Sequence, residues 1–118
     1  MLLFKKKFLP AIRSREKTQT IRLWNVCRMK SGQRSYIPGA GYIRVISVGP
    51  VELELLSDDD ARPDGFPTAE ALRTELTTLY ADQLASGYQA YRICFELLSS
   101  DEQAAAVAQR KAAKAARQ

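Results

Sequence analysis

The fold of this chain is constrained most strongly by its short strand-like segments, which are separated by glycine and proline turns. A single long amphipathic helix lies among them. Residues 42–48 are rich in β-branched side chains, and residues 91–97 alternate apolar with other side chains, so both segments predict strands. Between them, Thr68 is followed by apolar residues at helical spacing, which predicts a capped helix ending at about Tyr80. These elements predict an α+β fold, a small mixed β-barrel with flanking helices.

Local patterns add three shorter elements. Residues 34–37 lie between two turns and predict a brief strand. Gly49 and Pro50 predict the end of the strand before them, and residues 51–55 alternate apolar and acidic side chains, which predicts a separate half-buried strand. Ser57, followed by three aspartates, predicts a capped helical turn.

Length and cysteine usage restrict the class of protein. A chain of 118 residues with 46% hydrophobic content is long enough for one core and one domain. Cys27 and Cys94 are the only thiols and histidine is absent, so a structural zinc site is not expected, nor is any metal or cofactor. Three lysines at residues 5–7 interrupt the apolar start where a signal peptide would continue, and no apolar stretch reaches bilayer length. We therefore expect a cytoplasmic protein without a membrane partner; its oligomeric state is left open.

Charge is distributed unevenly along the chain. Residues 1–50 carry eleven lysines and arginines and one acid, whereas residues 51–100 carry three arginines and ten acids. If the fold gathers the first half on one side, that side has a positive potential that suits phosphates. The alternative is that the two halves attract each other across the core, and sequence asymmetry does not decide between them.

The segment 16–22 (EKTQTIR) carries the sharpest functional pattern. A strand is predicted from Thr18 to about Trp24, and side chains at alternate strand positions share a face. Thr18, Thr20 and Arg22 then line one surface, with Lys17 at the entrance of the strand. Hydroxyl, ammonium and guanidinium groups on one patch predict either an anion site or a hydroxyl with a base beside it.

Other residues extend this candidate site. A loop dense in turn residues carries Asp64 and Phe66, and Phe66 is the best candidate for stacking on a nucleobase because it neighbours the acid. Trp24, Tyr36 and Tyr42 are further stacking candidates, although each aromatic is more often a core or strand residue. Asp64 can donate a proton to a leaving amine, or pair with Lys17 and keep it protonated. Arg22 has its own structural alternative, an ion pair with a loop acid.

The last twenty residues differ in composition from the rest. Ser100, with Gln103 three residues later, matches a capping box, and residues 99–118 are rich in alanine, with acids first and bases last. Because large apolar side chains are few there, we predict a basic helical tail outside a domain of residues 1–98. The tail is either a solvated appendage or a weak nucleic-acid arm.

At this point several motifs resemble the ASCH family, whose members are PUA-like β-barrels. The resemblance rests, in this order, on EKTQTIR, Lys30-x-Gly32, GYIRVISV, DARPDGF, the leucine helix and YRICFELL, and it covers roughly residues 8–98. It implies a cleft beside the barrel, lined by the segment Lys17-x-x-Thr20-x-Arg22 and faced by the loop with the acid. It also implies RNA binding or a role in transcription coactivation, and one bacterial branch hydrolyses N4-acetylcytidine with a lysine, a threonine and a glutamate.

In the terms of that resemblance, Lys17 and Thr20 match two catalytic positions, and Asp64 stands where the branch has a glutamate, one methylene longer. Our first hypothesis is binding of RNA or a nucleotide- or nucleoside-like ligand in a basic cleft formed by Lys17, Thr18, Thr20, Arg22, Trp24 and Phe66. The alternative is an amidohydrolase that deacylates N4-acetylcytidine through Lys17, Thr20 and Asp64. A ribonuclease is a third hypothesis, but the absence of histidine removes its commonest acid–base group.

Geometry discriminates between these hypotheses. A Thr20 hydroxyl bonded to the Lys17 amine, with Asp64 across an enclosed pocket, favours the hydrolase. An open basic groove favours polynucleotide binding.

Overall fold

A computed structural model describes residues 1–117. Its helices and strands, in chain order, are α1 Leu9–Arg13, β1 Gln19–Trp24, β2 Arg34–Ile37, β3 Gly41–Val51, α2 Asp58–Ala61, α3 Ala69–Leu79, α4 Ala81–Ala85, β4 Gln89–Leu97 and α5 Ser100–Ala116. Short 3-10 turns cover Lys6–Phe8, Leu53–Leu55 and Arg62–Asp64.

The four strands form one antiparallel sheet in the order β1-β4-β3-β2. β4 lies between β1 and β3, so the last strand of the chain joins the first strand to the central hairpin. The β3–β4 register shifts between Val45 and Ser47, and such an irregularity bends a strand and increases its twist. The sheet curls into a half-barrel with helices packed around it, which confirms the predicted α+β barrel-like architecture.

Helix α3 covers one side of the curled sheet. The Thr68 hydroxyl accepts a hydrogen bond from the Ala71 amide, as the predicted N-cap requires. The buried face of the helix carries Leu72 and Leu76, which pack in one core cluster with Ile21 and Leu23 of β1. A second cluster, at the β2–β3 end, contains Leu2, Ile12, Ile37, Ile43 and Phe95. The inward residues of β1 therefore hold the strand against α3, and this fixes the position of the neighbouring site.

The structure corrects the prediction for residues 49–55. β3 continues through Gly49 and Pro50 to Val51, and the residues after it form a 3-10 turn instead of a separate strand. β2 pairs only with residues 41–44, so the outer edge of β3 is unpaired at Pro50. Proline is tolerated there because no ladder hydrogen bond is needed from its nitrogen.

Helix α5 begins one residue earlier than the capping pattern predicted. Ser99 is the N-cap and forms the box with Glu102, in place of Ser100 with Gln103. Gln103 is thereby free to bond the backbone of β3: its amide oxygen accepts from the Tyr42 N–H and its amide nitrogen donates to the Tyr42 carbonyl. Ala106 is fully buried, so the first two turns are held against the sheet. Gln118, the last residue of the predicted tail, lies outside the described residues.

No helix within residues 1–117 is both long enough and apolar enough to span a bilayer.

Candidate functional site

Lys17 and Asp64 meet at the point where β1 begins. The Lys17 amide donates to the Ala11 carbonyl of α1, and the next amide, that of Thr18, donates to the Pro63 carbonyl at 2.8 Å. The entrance of the strand is therefore fastened both to α1 and to the 3-10 turn that carries Asp64. Gly65 ends that turn at φ +93°, and a Cβ there would lie 3.6 Å from Lys17 Cδ. A side chain at this position would be strained by the positive φ, although its Cβ would make only an ordinary van der Waals contact with the lysine stem.

The two side chains form a buried ion pair. Lys17 Nζ lies 2.6 Å from Asp64 Oδ1, and each residue is only 3% exposed. The same ammonium also donates to the Asp64 backbone carbonyl. The second carboxylate oxygen, Oδ2, accepts from Gln19 Nε2 at 3.2 Å. Of the two roles that the sequence leaves open for Asp64, the structure shows pairing with Lys17.

Thr20 and Arg22 occupy one face of β1, as the period of a strand predicts. Arg22 Nε donates to Thr20 Oγ1 at 3.0 Å, and Arg22 Nη2 donates to the Leu3 carbonyl at 2.7 Å. Among the described residues Arg22 forms no ion pair, so the alternative of a structural pair with a loop acid is not realised. The Thr20 hydroxyl oxygen accepts from Arg22, and the Lys17 ammonium is directed to Asp64 instead of Thr20.

Aromatic rings enclose the cationic groups. The Lys17 ammonium lies 5.0 Å from the Phe8 ring, 5.7 Å from Phe4 and 6.0 Å from Phe66, while the Arg22 guanidinium lies 4.7 Å from Phe4. Such distances are in the range of cation–π attraction, which compensates part of the lost hydration of a buried cation. The site is therefore aromatic as much as it is basic.

These groups line one pocket of about 340 Å³, which we call the central pocket. This volume lies within the range of small-molecule sites in proteins. The N-terminal segment, β1, the Asp64 turn and α3 all contribute to its wall, which consists of Leu3, Phe4, Lys5, Phe8, Lys17, Thr20, Ile21, Arg22, Asp64, Phe66, Leu72, Glu75, Leu76, Leu79 and Tyr80. Glu75 Oε1 lies 3.1 Å from Lys5 Nζ and 3.3 Å from Lys7 Nζ, and these two ion pairs link α3 to the N-terminal segment across the pocket.

The pocket brings together only some of the residues that the sequence predicted for the site. Lys17, Thr20, Arg22, Asp64 and Phe66 all line it, whereas Thr18 is exposed outside it. Trp24 packs against Tyr91, with ring centroids 5.7 Å apart, and lines a neighbouring cleft. Tyr36 and Tyr42 lie on the β2–β3 hairpin.

Four residues of the site were not anticipated. Phe4, Phe8 and Tyr80 line the pocket, and Gln19 holds the carboxylate of Asp64. The two phenylalanines lie four residues apart and flank the triple lysine. This spacing is the only feature of the sequence that could have indicated their place in the site. Within residues 1–117, no three histidine, cysteine or acidic side chains are grouped so that they could hold a metal ion.

Burial lowers the pKa of Lys17 from its ordinary value of 10.5; Asp64 opposes this effect and nearby Arg22 adds to it. Between the lowered pKa and 10.5, the unfolded chain binds more protons than the folded one, so the free energy of unfolding must rise with pH. We expect a rise of at most about 1.4 kcal/mol per pH unit from this group. It is measured by urea denaturation from neutral pH to 10.5. The double variant Lys17→Met/Asp64→Leu should lack this rise, and identical curves for both proteins would contradict it.

Comparison with solved structures identifies the fold. The hypothetical protein PH0355 superposes with a TM-score of 0.69 at 16% identity, over 81% of this chain and 95% of that one. The protein EF3133 from Enterococcus faecalis V583, of the family DUF984, gives a TM-score of 0.63 at 17% identity, over 78% of this chain and 70% of that one. An ASCH domain from Lactobacillus crispatus JV V101 gives 0.64 at 13% identity, over 75% of this chain and 68% of that one.

The sequence matches no family model and no curated protein. At these identities the structural matches establish the architecture of the chain and leave its function to its own residues. The chain therefore has the fold of ASCH domains, a curled antiparallel half-barrel with flanking helices, as the sequence resemblance predicts.

Proposed function

We propose that this protein binds a nucleoside-like ligand, with the base held in the central pocket. The observation that carries the proposal is that Thr20, Arg22 and the Lys17–Asp64 pair lie together on the wall of one aromatic pocket of about 340 Å³. A nucleobase has apolar faces and polar edges, and this wall offers both kinds of partner. Phe8 and Phe66, with ring centroids 5.7 Å apart, provide aromatic surface, and Phe4 adds a third ring.

Arg22 is the principal donor for the edge of the base. A guanidinium has five N–H groups, and its bonds to Thr20 and Leu3 leave further N–H groups for a ligand acceptor. Lys17 is bonded to Asp64, so it contributes less to a ligand directly and holds the acid in place. The resemblance to ASCH domains supports the same class of ligand.

Hydrolysis of an acylated cytidine is a second candidate function. Arg22 donates to the oxygen of the Thr20 hydroxyl, which leaves the hydroxyl proton free and stabilises negative charge that develops on the oxygen. The lowered pKa of Lys17, caused mainly by burial, moves it towards the range of a general base. The Lys17 proton would first pass to Asp64; Thr20 would then attack the acyl carbon, the neutral Lys17 amine would take the hydroxyl proton, and Asp64 would give its proton to the leaving amine as the C–N bond breaks. Water would then cleave the acyl ester.

Binding remains the first proposal because the ammonium of Lys17 is paired with Asp64 and not with the hydroxyl that it would have to deprotonate. The hydrolase requires the proton to leave Lys17 before the chemistry begins, whereas binding uses the groups as they stand.

One experiment tests both functions. Cytidine and N4-acetylcytidine are titrated into the protein by calorimetry, and the mixtures are then analysed by chromatography for released cytidine. We expect Phe66→Leu, which keeps an apolar side chain but removes the ring, to weaken binding about tenfold, because base–aromatic stacking contributes about 1–3 kcal/mol. Tyr88→Leu, an aromatic residue outside the pocket, is the matched control and should bind as the wild type does.

The outcomes separate cleanly. Release of cytidine that is lost in Thr20→Val would establish the hydrolase. Binding without release would leave the binding function alone, and the absence of heat with either nucleoside would overturn the proposal.

A further inference from the structure

The polar groups of the central pocket lie at its bottom and are almost completely shielded from solvent. Lys17 and Asp64 are each 3% exposed and Thr20 is 5% exposed, although all three line the pocket. The exposed part of the wall is its rim, where Leu3 is 63% and Leu79 is 48% exposed. A ring of nucleobase size can therefore make full contact with the polar groups only if one wall of the pocket moves.

Three of the four walls are fixed by the fold. β1 is paired with β4 along all six of its residues. The turn that carries Asp64 is bonded to Thr18 through the Pro63 carbonyl, and α3 is packed against β1 through Leu72. Strand ladders and buried leucines open only at a free-energy cost close to that of unfolding, so these walls stay in place when a ligand enters.

The fourth wall is formed by residues 3–8, which we call the strap. Leu2 and Ile12, on either side of the strap, are buried in the same core cluster, and the Leu2 amide donates to the Tyr36 carbonyl at 2.9 Å. Among the residues that the structure describes, no amide of residues 3–7 donates to a backbone carbonyl outside the strap. The strap is therefore a short loop with two anchored ends and no backbone ladder between them.

Side chains hold the strap closed over the pocket. Glu75 is the only charged residue of α3 on the pocket wall, and its Oε1 pairs with both Lys5 and Lys7. The hydrogen bond from Lys5, with a smaller effect of Lys7, lowers the pKa of Glu75 below its ordinary value of 4.5, so the acid is ionised at neutral pH. Beside these pairs, the Phe8 ring of the strap lies 5.7 Å from Phe66.

These ion pairs are weaker than the pair at the bottom of the pocket. The side chains of Lys5, Lys7 and Glu75 are 51%, 57% and 24% exposed, and water and salt screen ion pairs of this kind. The Lys17–Asp64 pair is buried and is screened much less. The contacts across the rim can therefore break while the polar groups below keep their geometry.

We propose that the strap opens to admit ligands to the central pocket, and that Glu75 is the latch that keeps it closed. When the latch breaks, the two lysines exchange the carboxylate for water and the Phe8 ring moves away from Phe66, which uncovers the polar groups. Glu75 is thus a positioning residue that acts on a ligand through the strap. The inference concerns entry to the pocket whatever the ligand is, and so goes beyond the proposed function.

The part of the strap that moves is residues 5–8. Phe4 packs against Phe95 of the anchored cluster, with ring centroids 6.1 Å apart, and Arg22 holds the Leu3 carbonyl at 2.7 Å. Residues 3 and 4 therefore stay with the sheet, and the segment beyond them swings between Phe4 and α1.

The labelling rate of a thiol inside the pocket measures how often the strap opens. Thr20→Cys is close to isosteric and places the thiol on the pocket wall, and Cys27→Ser removes the exposed native thiol. The partly buried Cys94 stays, and its reaction is measured in the Cys27→Ser protein alone and subtracted. N-ethylmaleimide is the reagent because it is uncharged and its ring is similar in size to a pyrimidine. Leu76→Cys, on α3 and 5% exposed, provides a second reporter.

We expect Glu75→Gln to raise the labelling rate about fivefold, which corresponds to about 1 kcal/mol at about 1.4 kcal/mol per factor of ten. This is the size expected of two partly exposed ion pairs. Lys5→Gln/Lys7→Gln should have the same effect, and adding Glu75→Gln to it should change nothing further, because all these substitutions break one contact. Lys6→Gln is the matched control: it removes a positive charge from an exposed strap residue that has no ion-pair partner among the described residues, and it should leave the rate unchanged.

Salt and urea separate opening of the strap from other routes into the pocket. At roughly 1 M salt the Debye length is about 3 Å, so the wild-type rate should approach that of Glu75→Gln, which itself should respond little. Low urea should barely change the rate, because opening the strap exposes much less surface than unfolding does. The proposal is overturned by an unchanged rate in Glu75→Gln, by an equal increase in Lys6→Gln, or by a rate that rises with urea as steeply as unfolding does.

Ligand kinetics test the same latch. Cytidine would enter and leave through the open strap, so Glu75→Gln should raise its association and dissociation rates by the same factor of about five and change Kd by less than about twofold. A residue that only shaped the wall would change Kd. If cytidine does not bind but labelling responds to Glu75→Gln, the proposed function fails and the strap stands. If cytidine binds and labelling does not respond, the strap is overturned and the proposed function stands.

Discussion

Replacing Asp64 with alanine should lower the free energy of unfolding by about 3–5 kcal/mol, the usual effect of removing one partner from a buried ion pair. The carboxylate lies 2.6 Å from Lys17 Nζ, and both side chains are almost completely shielded from water. Without Asp64 the ammonium is left in an aromatic environment with no countercharge, and Gln19 loses one acceptor. Urea denaturation followed by circular dichroism measures the loss.

Two control variants make this expectation specific. Asp59→Ala removes an ion pair with Arg62 in the same segment, but Asp59 is 87% exposed, so we expect no measurable loss. Lys17→Met/Asp64→Leu replaces the pair with apolar side chains that suit the surrounding phenylalanines, and it should recover most of the stability. A loss below about 1 kcal/mol in Asp64→Ala, or a double variant as unstable as the single one, would contradict the pairing as a source of stability.

Truncation of Leu72 to alanine should have a similarly large effect, about 2–5 kcal/mol, because it opens a cavity beneath α3. Leu72 is 1% exposed and packs in the cluster that joins α3 to β1. Leu79→Ala makes the same chemical change in the same helix at a residue that is 48% exposed, so it should cost less than about 1 kcal/mol. Equal losses in the two variants would show that α3 is not anchored through Leu72.

The Leu72 variant has a consequence for the site. Leu72 also lines the central pocket, together with Thr20 and Arg22 of β1. A folded Leu72→Ala protein should therefore bind cytidine more weakly than a Leu55→Ala protein, in which the truncated leucine is exposed and lies outside the pocket. The comparison separates the shape of the pocket from the mere presence of its polar groups.

Several elements could be predicted from local sequence because local physics decides them. Thr68 caps α3 through its own hydroxyl, and Ser57 forms a capping box with Asp60, so each helix start is determined within four residues. The common face of Thr20 and Arg22 follows from the two-residue period of any strand. The resemblance in ordered motifs predicted the ASCH fold, which the solved structures confirm.

Other features depend on which neighbours the chain meets. Pro50 predicts the end of a strand. It lies where β3 has no partner strand on one side, so its missing N–H is not needed there and the strand continues. Ser99 and Ser100 both satisfy a capping pattern, and the choice between them was decided by Gln103, which is needed for the backbone of Tyr42. The division into a domain of residues 1–98 and a tail of residues 99–118 stays a prediction.

The order of residues alone determined the local elements, the shared face of Thr20 and Arg22, and the choice of Lys17, Asp64 and Phe66 as candidates. Only the tertiary structure decided that Asp64 pairs with Lys17, that Phe4 and Phe8 close over them, and that α5 completes a cleft with the β2–β3 hairpin. The physical reason is the distance along the sequence between the residues that contact each other. Caps, turns and strand faces depend on contacts a few residues apart, whereas the partner and burial of a charge depend on segments 47 residues apart that meet only when the sheet closes.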